Sequence, residues 1–244
     1  MRRAALVAIA LIGLVLPQPA LAACGYSGVS VSGTAEELAD ACQALEEVLG
    51  YFRKIGLRPE PAVEISFQDR VYIDMYPHVY EPAGKEAVGR NEVSGSYNFR
   101  LRELQITSGR RELRRERRPW GIAWSQPIAY SILQHELVHA VVASLLGREY
   151  QKFAKAWHEF IAYAVQFDLM DPALKAKVFA NYPDAKPFQF PESVNPIVYA
   201  ADPDEFGVSS YLYADANGGP QFIGQLLLKD VPFSVHEFEF LWLE

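Results

Sequence analysis

The stretch SILQHELVHA, residues 131–140, contains two histidines four positions apart, in the order H-E-x-x-H. Residues four apart project from the same face of a helix, so His135 and His139 can direct a ring nitrogen at one metal ion. Glu136 lies one position further round, beside that ion but outside its ligands, where a general base for water would sit. Because only three positions are specified, the pentapeptide alone fits either a zinc enzyme or a helix with two incidental histidines.

The sequence around the motif favours a metal site. Residues 128–146 are apolar on most faces and end at Gly147, which predicts a central, largely buried helix. Two imidazoles and a carboxylate are costly to bury unless something compensates them. A divalent ion is the simplest compensation, and it would need a third ligand.

Two candidates for the third ligand lie in the next predicted helix, which runs roughly from residue 150 to 170. Leu145, Leu146 and Gly147 fill the region where a third histidine would follow a longer zinc motif. The segment AWHEFIAYAVQF, residues 156–167, instead offers Glu159, twenty residues after His139, and its neighbour His158. Adjacent residues are about 100° apart around a helix, so only one of the two can face the ion.

With a glutamate from the second helix, this layout resembles the gluzincin group of zinc metallopeptidases, and more specifically the bacterial peptidase MA-like domains. In those domains H-E-L-x-H is followed by W-x-x-E-G-x-A-x-Y. Trp157, Glu159, Ala162 and Tyr163 resemble part of that second motif, with Trp and Tyr each one position closer to Glu and Phe160 in place of glycine. Two further segments resemble the hairpin before the zinc helix and the closing helical piece of such domains: GSYNFRLRELQIT (95–107) and YADANGGPQFIGQLL (213–227).

The resemblance implies a zinc ion, Zn²⁺, on His135, His139 and Glu159, an open position for water, and Glu136 as general base in peptide-bond hydrolysis. Gluzincins commonly take an oxyanion donor from a later helix, for which Tyr211 and Tyr213 are preferred over His236. The strand Glu103–Thr107 would be the edge strand that pairs with an extended peptide or protein substrate. A non-catalytic zincin-like binding or structural protein of the bacterial envelope is the alternative, and another hydrolase with the same zinc geometry is a third.

The order of elements predicts an α+β fold. A helix capped by Thr34 covers residues 35–56, with Leu45, Leu49 and Phe52 on its buried face. Strands follow at residues 62–67 and 70–76, then a hairpin at 95–107 with a turn or bulge near residues 100–102. Later helices are expected at about 204–216 and 221–230. We expect a zincin-like domain, residues 23–244, in which a small antiparallel sheet (lobe 23–125) packs on a helical lobe (126–244).

The first 22 residues have the pattern of a signal peptide: Arg2 and Arg3, an apolar run over residues 4–16, and an A-x-A cleavage site at residues 20–22. We therefore expect an exported protein, periplasmic or secreted. Cys24 and Cys42 allow two interpretations. They can form a disulfide, or the stretch LAAC can be a lipobox with a lipid anchor on Cys24.

Charge and composition argue against a nucleic-acid-binding protein and against a transmembrane protein. A net charge of −7 and a pI near 5.3 argue against nucleic-acid binding, and the basic run RRELRRERR, residues 110–118, is expected to be a solvated linker or helix face. No apolar run after the leader is long enough to predict a transmembrane segment. His78 is expected to be a surface or loop histidine, and the oligomeric state is not predicted.

Overall fold

In a computed structural model, the chain is described over residues 20–22, 24–75, 89–110 and 118–235. Residues 1–19 of the predicted leader, His78, most of the basic run and His236 lie outside these ranges. The strands and α-helices of the described residues are β1 (Ala20–Ala22), β2 (Val29–Gly33), α1 (Ala35–Lys54), β3 (Val63–Gln68), β4 (Val71–Met75), β5 (Gly89–Val93), β6 (Gly95–Asn98), β7 (Glu103–Thr107), α2 (Gln126–Leu146), α3 (Lys155–Leu169), α4 (Pro172–Asn181), α5 (Pro196–Ala201), α6 (Pro203–Ala216) and α7 (Pro220–Leu228).

The described strands form a five-stranded sheet, in the order β1-β2-β3-β7-β6, and a separate β4–β5 pair. Antiparallel pairs are present as β1–β2, β4–β5 and β6–β7, and the last of these is the expected hairpin. The α+β prediction is therefore confirmed. Two parallel ladders, β2–β3 and β3–β7, complete the sheet. The β2–β3 ladder is parallel because α1 carries the chain from the end of β2 back to the start of β3. The alternation of apolar and polar residues along a single strand does not reveal such a crossover.

Helix α1 begins and ends as its sequence predicts. The Thr34 hydroxyl accepts a hydrogen bond from the Glu37 N–H, and the Glu37 carboxylate accepts one from the Thr34 N–H. This reciprocal capping satisfies two amides that the first turn leaves unpaired. A disulfide joins Cys42 of this helix to Cys24, and indicates an oxidising, exported location. With its sulfur in that bond, Cys24 has no thiol left to carry a lipid.

The hairpin of β6 and β7 turns at residues 99–102, as expected, and Arg102 has a positive φ of 57° there. The prediction that Glu103–Thr107 is the edge strand is wrong. This strand, β7, lies between β3 and β6, so β6 is the edge. The reason is visible in its burial, because Leu104 and Ile106 are fully enclosed, as suits a strand with neighbours on both sides.

Helix α2 lies between the sheet and the helical lobe. It contacts β6 and β7 on one side and packs against α1 and α3 on others, and α3 in turn packs on α6. The span Gln126–Lys152, which begins with α2, is long and apolar enough to cross a membrane, but 83% of its most apolar window is buried inside the fold. It is therefore the core helix of this domain, as its sequence predicts. The expectation that no apolar run after the leader is long enough to span a membrane is wrong for this helix, because its apolar residues serve the core.

The helix boundaries after α2 differ from the prediction in one place. A 3-10 segment, Gly147–Lys152, follows α2, so α3 begins at Lys155 rather than at residue 150. Asp171 then ends α3 and starts α4, because its carboxylate accepts hydrogen bonds from the N–H groups of Ala173 and Leu174. The short helices α4 and α5 were not expected from the sequence.

Candidate metal centre

Three polar side chains of α2 are buried where the helix meets β6 and α3. His135, Glu136 and His139 are only 7–8% exposed. Burial of this kind disfavours charged or unpaired groups, so each needs a partner inside the protein. Glu159 of α3 supplies one, because α2 and α3 pack directly against each other.

The ligand atoms of His135, His139 and Glu159 converge on one point. The two histidine Nε2 atoms lie 3.2 Å apart. The Glu159 Oε2 atom is 3.4 Å from Nε2 of His135 and 3.8 Å from Nε2 of His139. These three residues form a buried group that could bind a metal ion.

The separations fit a tetrahedral metal site. With bonds of the usual zinc length, about 2.0–2.1 Å, two ligands of a tetrahedron lie roughly 3.3 Å apart. The three observed separations of 3.2, 3.4 and 3.8 Å lie close to that value. The donor set therefore fits a divalent metal ion in both chemistry and spacing.

A buried amide fixes the orientation of His135. Its Nδ1 donates a hydrogen bond to Oε1 of Gln166 at 3.1 Å, and Nε2 of Gln166 donates to the Ser131 hydroxyl at 3.0 Å. With the proton on Nδ1, the lone pair of Nε2 points toward Glu159 and His139, which is the tautomer that a metal ligand requires. The ring edge of Tyr163, 4.5 Å away between centroids, packs on the same imidazole.

The charges of the group are strongly coupled. Burial would raise the pKa of Glu159, but the charge of His139 and the hydrogen bond from its imidazole hold that pKa well below its usual value. Burial would lower the pKa of His139, but the Glu159 carboxylate outweighs it and raises that pKa. The Glu159 carboxylate is thus ionised in the metal-free protein, and a bound cation would take the place of the proton on His139.

Glu136 lies outside this triangle, against the edge strand. Burial raises its pKa, although the charges of His135 and His139 oppose the shift. Its carboxylate accepts a hydrogen bond from the backbone N–H of Tyr97. A Cβ on Gly95 would lie 2.7 Å from Cγ of Glu136, closer than real contacts, so only glycine leaves room for this side chain.

A cavity of about 390 Å³ opens onto all four residues. Its walls come from β5 and β6, from the 3-10 turn Pro119–Gly121, and from α2 and α3, with Tyr199 and Asp204 on the far side. A cavity of this size holds a few residues of a peptide or a small molecule.

The model of the Family of unknown function (DUF6639) matches residues 29–236. The chain belongs to this family. No curated protein and no solved structure matches the chain. The DUF6639 match includes the whole metal group and Glu136, and it neither supports nor contradicts the resemblance to gluzincins.

Within this DUF6639 domain, the structure settles the choice between Glu159 and its neighbour. Nε2 of His158 donates to the backbone oxygen of Tyr150 at 2.9 Å, and its ring packs between Tyr150 and Phe153. Burial, with the charge of His139, lowers the pKa of His158 to about 4. His158 is therefore a neutral wall of the cavity, and Glu159 faces the two histidines.

The structure does not bring Tyr211 or Tyr213 to the cavity. The Tyr211 ring stacks on Phe167, with Lys175 over its face, and the Tyr213 ring packs edge-on against Phe160 and Phe222. Both phenols belong to the packing of the helical lobe, which corrects the prediction that one of them lies beside the metal group. The tyrosines that do line the cavity are Tyr97, Tyr150, Tyr163 and Tyr199.

Gln166, Ser131 and Gly95 are parts of the site that the sequence analysis missed. Gln166 was detectable in principle, because it follows Glu159 by seven residues and so lies on the same face of α3. Ser131 similarly precedes His135 by one turn of α2. Gly95 carries no local signal, because its requirement for a missing side chain comes from a helix that is distant in sequence.

Proposed function

We propose that this protein is an exported zinc metallopeptidase of the gluzincin type, with Zn²⁺ held by His135, His139 and Glu159. One observation carries the proposal: two imidazole nitrogens and a carboxylate oxygen meet at tetrahedral spacing in a cavity that also holds Glu136. Three protein ligands with one open position are typical of catalytic zinc, whereas structural zinc sites have four. Calcium and magnesium prefer sites built from oxygen alone.

A zinc ion in this site would polarise a peptide carbonyl and lower the pKa of a water molecule. Glu136 is the base that accepts the proton of that water. Burial raises the pKa of Glu136 toward neutral pH. A group whose pKa lies near the working pH can both accept a proton and release it. The same side chain then delivers the proton to the amine that leaves.

The edge strand β6 supports the binding of an extended peptide. Gly95, Ser96 and Tyr97 line the cavity, and β6 is the last strand of the described five-stranded sheet. A substrate strand added beside β6 would pass Glu136, which contacts Gly95 directly. The role that the sequence analysis gave to Glu103–Thr107 therefore passes to the neighbouring strand.

The location of the protein fits such substrates. The disulfide and the leader-like N-terminus support export to the periplasm or the medium, where protein and peptidoglycan peptides are exposed.

Metal analysis and one conservative substitution test the proposal. Purified protein is expected to contain one zinc per chain and to cleave members of a peptide library. Glu136→Gln should keep the zinc and lose the hydrolysis, whereas His139→Ala should lose both. Glu60→Gln, at an exposed carboxylate away from the cavity, is the matched control and should change neither. Stoichiometric iron in place of zinc, or hydrolysis that survives Glu136→Gln, would contradict the proposal. Zinc without any hydrolysis would instead favour the non-catalytic binding protein.

A further inference from the structure

Lys155 is the first residue of α3 and lies one helical turn before Glu159, on the same face. Its exposed side chain lines the cavity, and its charge is one of those that act on His139. A cation at this end of a helix is opposed by the helix dipole, so the position gives α3 no local stabilisation. The ammonium group is therefore available to a ligand in the cavity.

No ion-pair partner for Lys155 is found among the described residues. No carboxylate there lies within ion-pair distance of Lys155, and it is the only lysine or arginine among the described residues of the cavity wall. The acids of the cavity are engaged by other groups. Glu159 faces the two imidazoles, Glu136 accepts from the backbone of β6, and Asp204 accepts from the Trp120 N–H at 2.9 Å.

We propose that Lys155 binds a carboxylate of the ligand that occupies this cavity, and so makes the site selective for peptides with a negative charge beside the bond presented to Glu136. The inference rests on the proposed function for the identity of the ligand as a peptide. A protein of net charge −7 repels anions in general, so a single exposed cation at the site directs a carboxylate to one place. The carboxylate is either the C-terminus of the peptide or the side chain of an acidic residue.

Three probe peptides separate these sources: acetyl-tetra-alanine with a free C-terminus, the same peptide as its amide, and the amide with glutamate as its last residue. Their binding is measured by calorimetry to zinc-loaded protein that carries Glu136→Gln, so that nothing is cleaved. A peptide whose carboxylate reaches Lys155 is expected to bind about tenfold more tightly than the neutral amide, as for one charge-assisted contact. If the free-acid peptide binds more tightly than the neutral amide, Lys155 binds the C-terminal carboxylate. If the amide with glutamate does so, Lys155 binds the side-chain carboxylate.

Substitutions at position 155 then test the assignment. Lys155→Met should abolish the preference with no loss of zinc, and Lys155→Arg should keep it. The matched control is Lys177→Met, at an exposed lysine of α4 that does not line the cavity, and it should also keep the preference. The inference is overturned if no peptide binds, if no carboxylate is preferred, or if the preference persists in Lys155→Met, as it would for a carboxylate bound to the metal.

Cleavage of the same peptides by protein with Glu136 intact separates this inference from the proposed function. Binding that depends on Lys155, without cleavage, would leave the inference standing and overturn the peptidase. Cleavage that shows no preference dependent on Lys155 would support the peptidase and overturn the inference about Lys155.

Discussion

Replacing Gln166 with methionine is expected to weaken zinc binding about 10- to 100-fold, although Gln166 would not itself coordinate the metal. Its amide oxygen holds the proton of His135 on Nδ1, and this hydrogen bond sets both the tautomer and the angle of the ring. Partners of this kind typically contribute about that much to metal affinity. Methionine has a similar volume and no strong acceptor, so the change removes the hydrogen bond with little loss of packing.

The same substitution should also destabilise the metal-free protein by about 2 kcal/mol. Gln166 is 1% exposed, so the Nδ1–H of His135 would be left buried without a partner, which costs about 1–3 kcal/mol. The Ser131 hydroxyl also loses a donor, but it can rotate toward a carbonyl of its own helix, so its contribution is smaller. Urea denaturation in the presence of a chelator measures the stability, and competition with a coloured chelator measures the zinc affinity.

Two further variants isolate the role of the ring orientation. Gln166→Glu retains an acceptor for His135 and should keep zinc affinity near the wild-type value. Ser131→Ala removes only the far end of the chain of hydrogen bonds and should change zinc affinity less than Gln166→Met does. Wild-type zinc affinity in Gln166→Met would refute the reasoning, because His135 would then hold its orientation without the amide.

Three other perturbations have definite expected outcomes. Gly95→Ala places a Cβ 2.7 Å from Cγ of Glu136 and should displace that carboxylate, so peptide hydrolysis should fall about 10²-fold while zinc content, measured by metal analysis, is retained. Cys42→Ser opens a cross-link of sequence separation 18 and should lower the free energy of unfolding, measured in urea, by about 3 kcal/mol without loss of zinc. The gain in melting temperature on adding zinc should grow as the pH rises. The raised pKa of His139 gives the metal-free protein stability that is present at low pH and lost as the pH rises through that pKa, while protons compete less with the metal. A constant or shrinking gain would contradict the coupling of His139 to Glu159.

The helices were the most predictable part of the fold, because their signals are local. Thr34 caps α1 as expected, and the apolar run of α2 ends at Gly147. The parallel ladders around β3 and the central position of β7 were not predictable, since both depend on which strands meet after the chain has crossed over. The onset of α3 was misjudged because the 3-10 segment contains good helix formers, such as Glu149, Gln151 and Lys152.

The residues of the site also differ in whether a local pattern predicts them. His135, Glu136 and His139 follow from the period of one helix, and Glu159 came from the resemblance together with its position in the next helix. Tyr211 and Tyr213 were misplaced because thirteen tyrosines give no indication of which phenol faces the cavity. Lys155 was not predicted as part of the site, because only the structure shows that it lines the cavity without an ion-pair partner among the described residues.

The packing of α2 against α3 has a consequence for how the protein handles metal. The ligand atoms are held at nearly tetrahedral spacing by a hydrophobic helix pair and by the amide of Gln166, so the scaffold does not depend on the ion to assemble it. Loss and uptake of metal are then exchange reactions of a folded protein, unlike those of small zinc domains that unfold when the ion is removed. On the proposed function, the exported protein would fold before it takes up zinc. Zinc supply would then set how much of the protein is active rather than how much is folded.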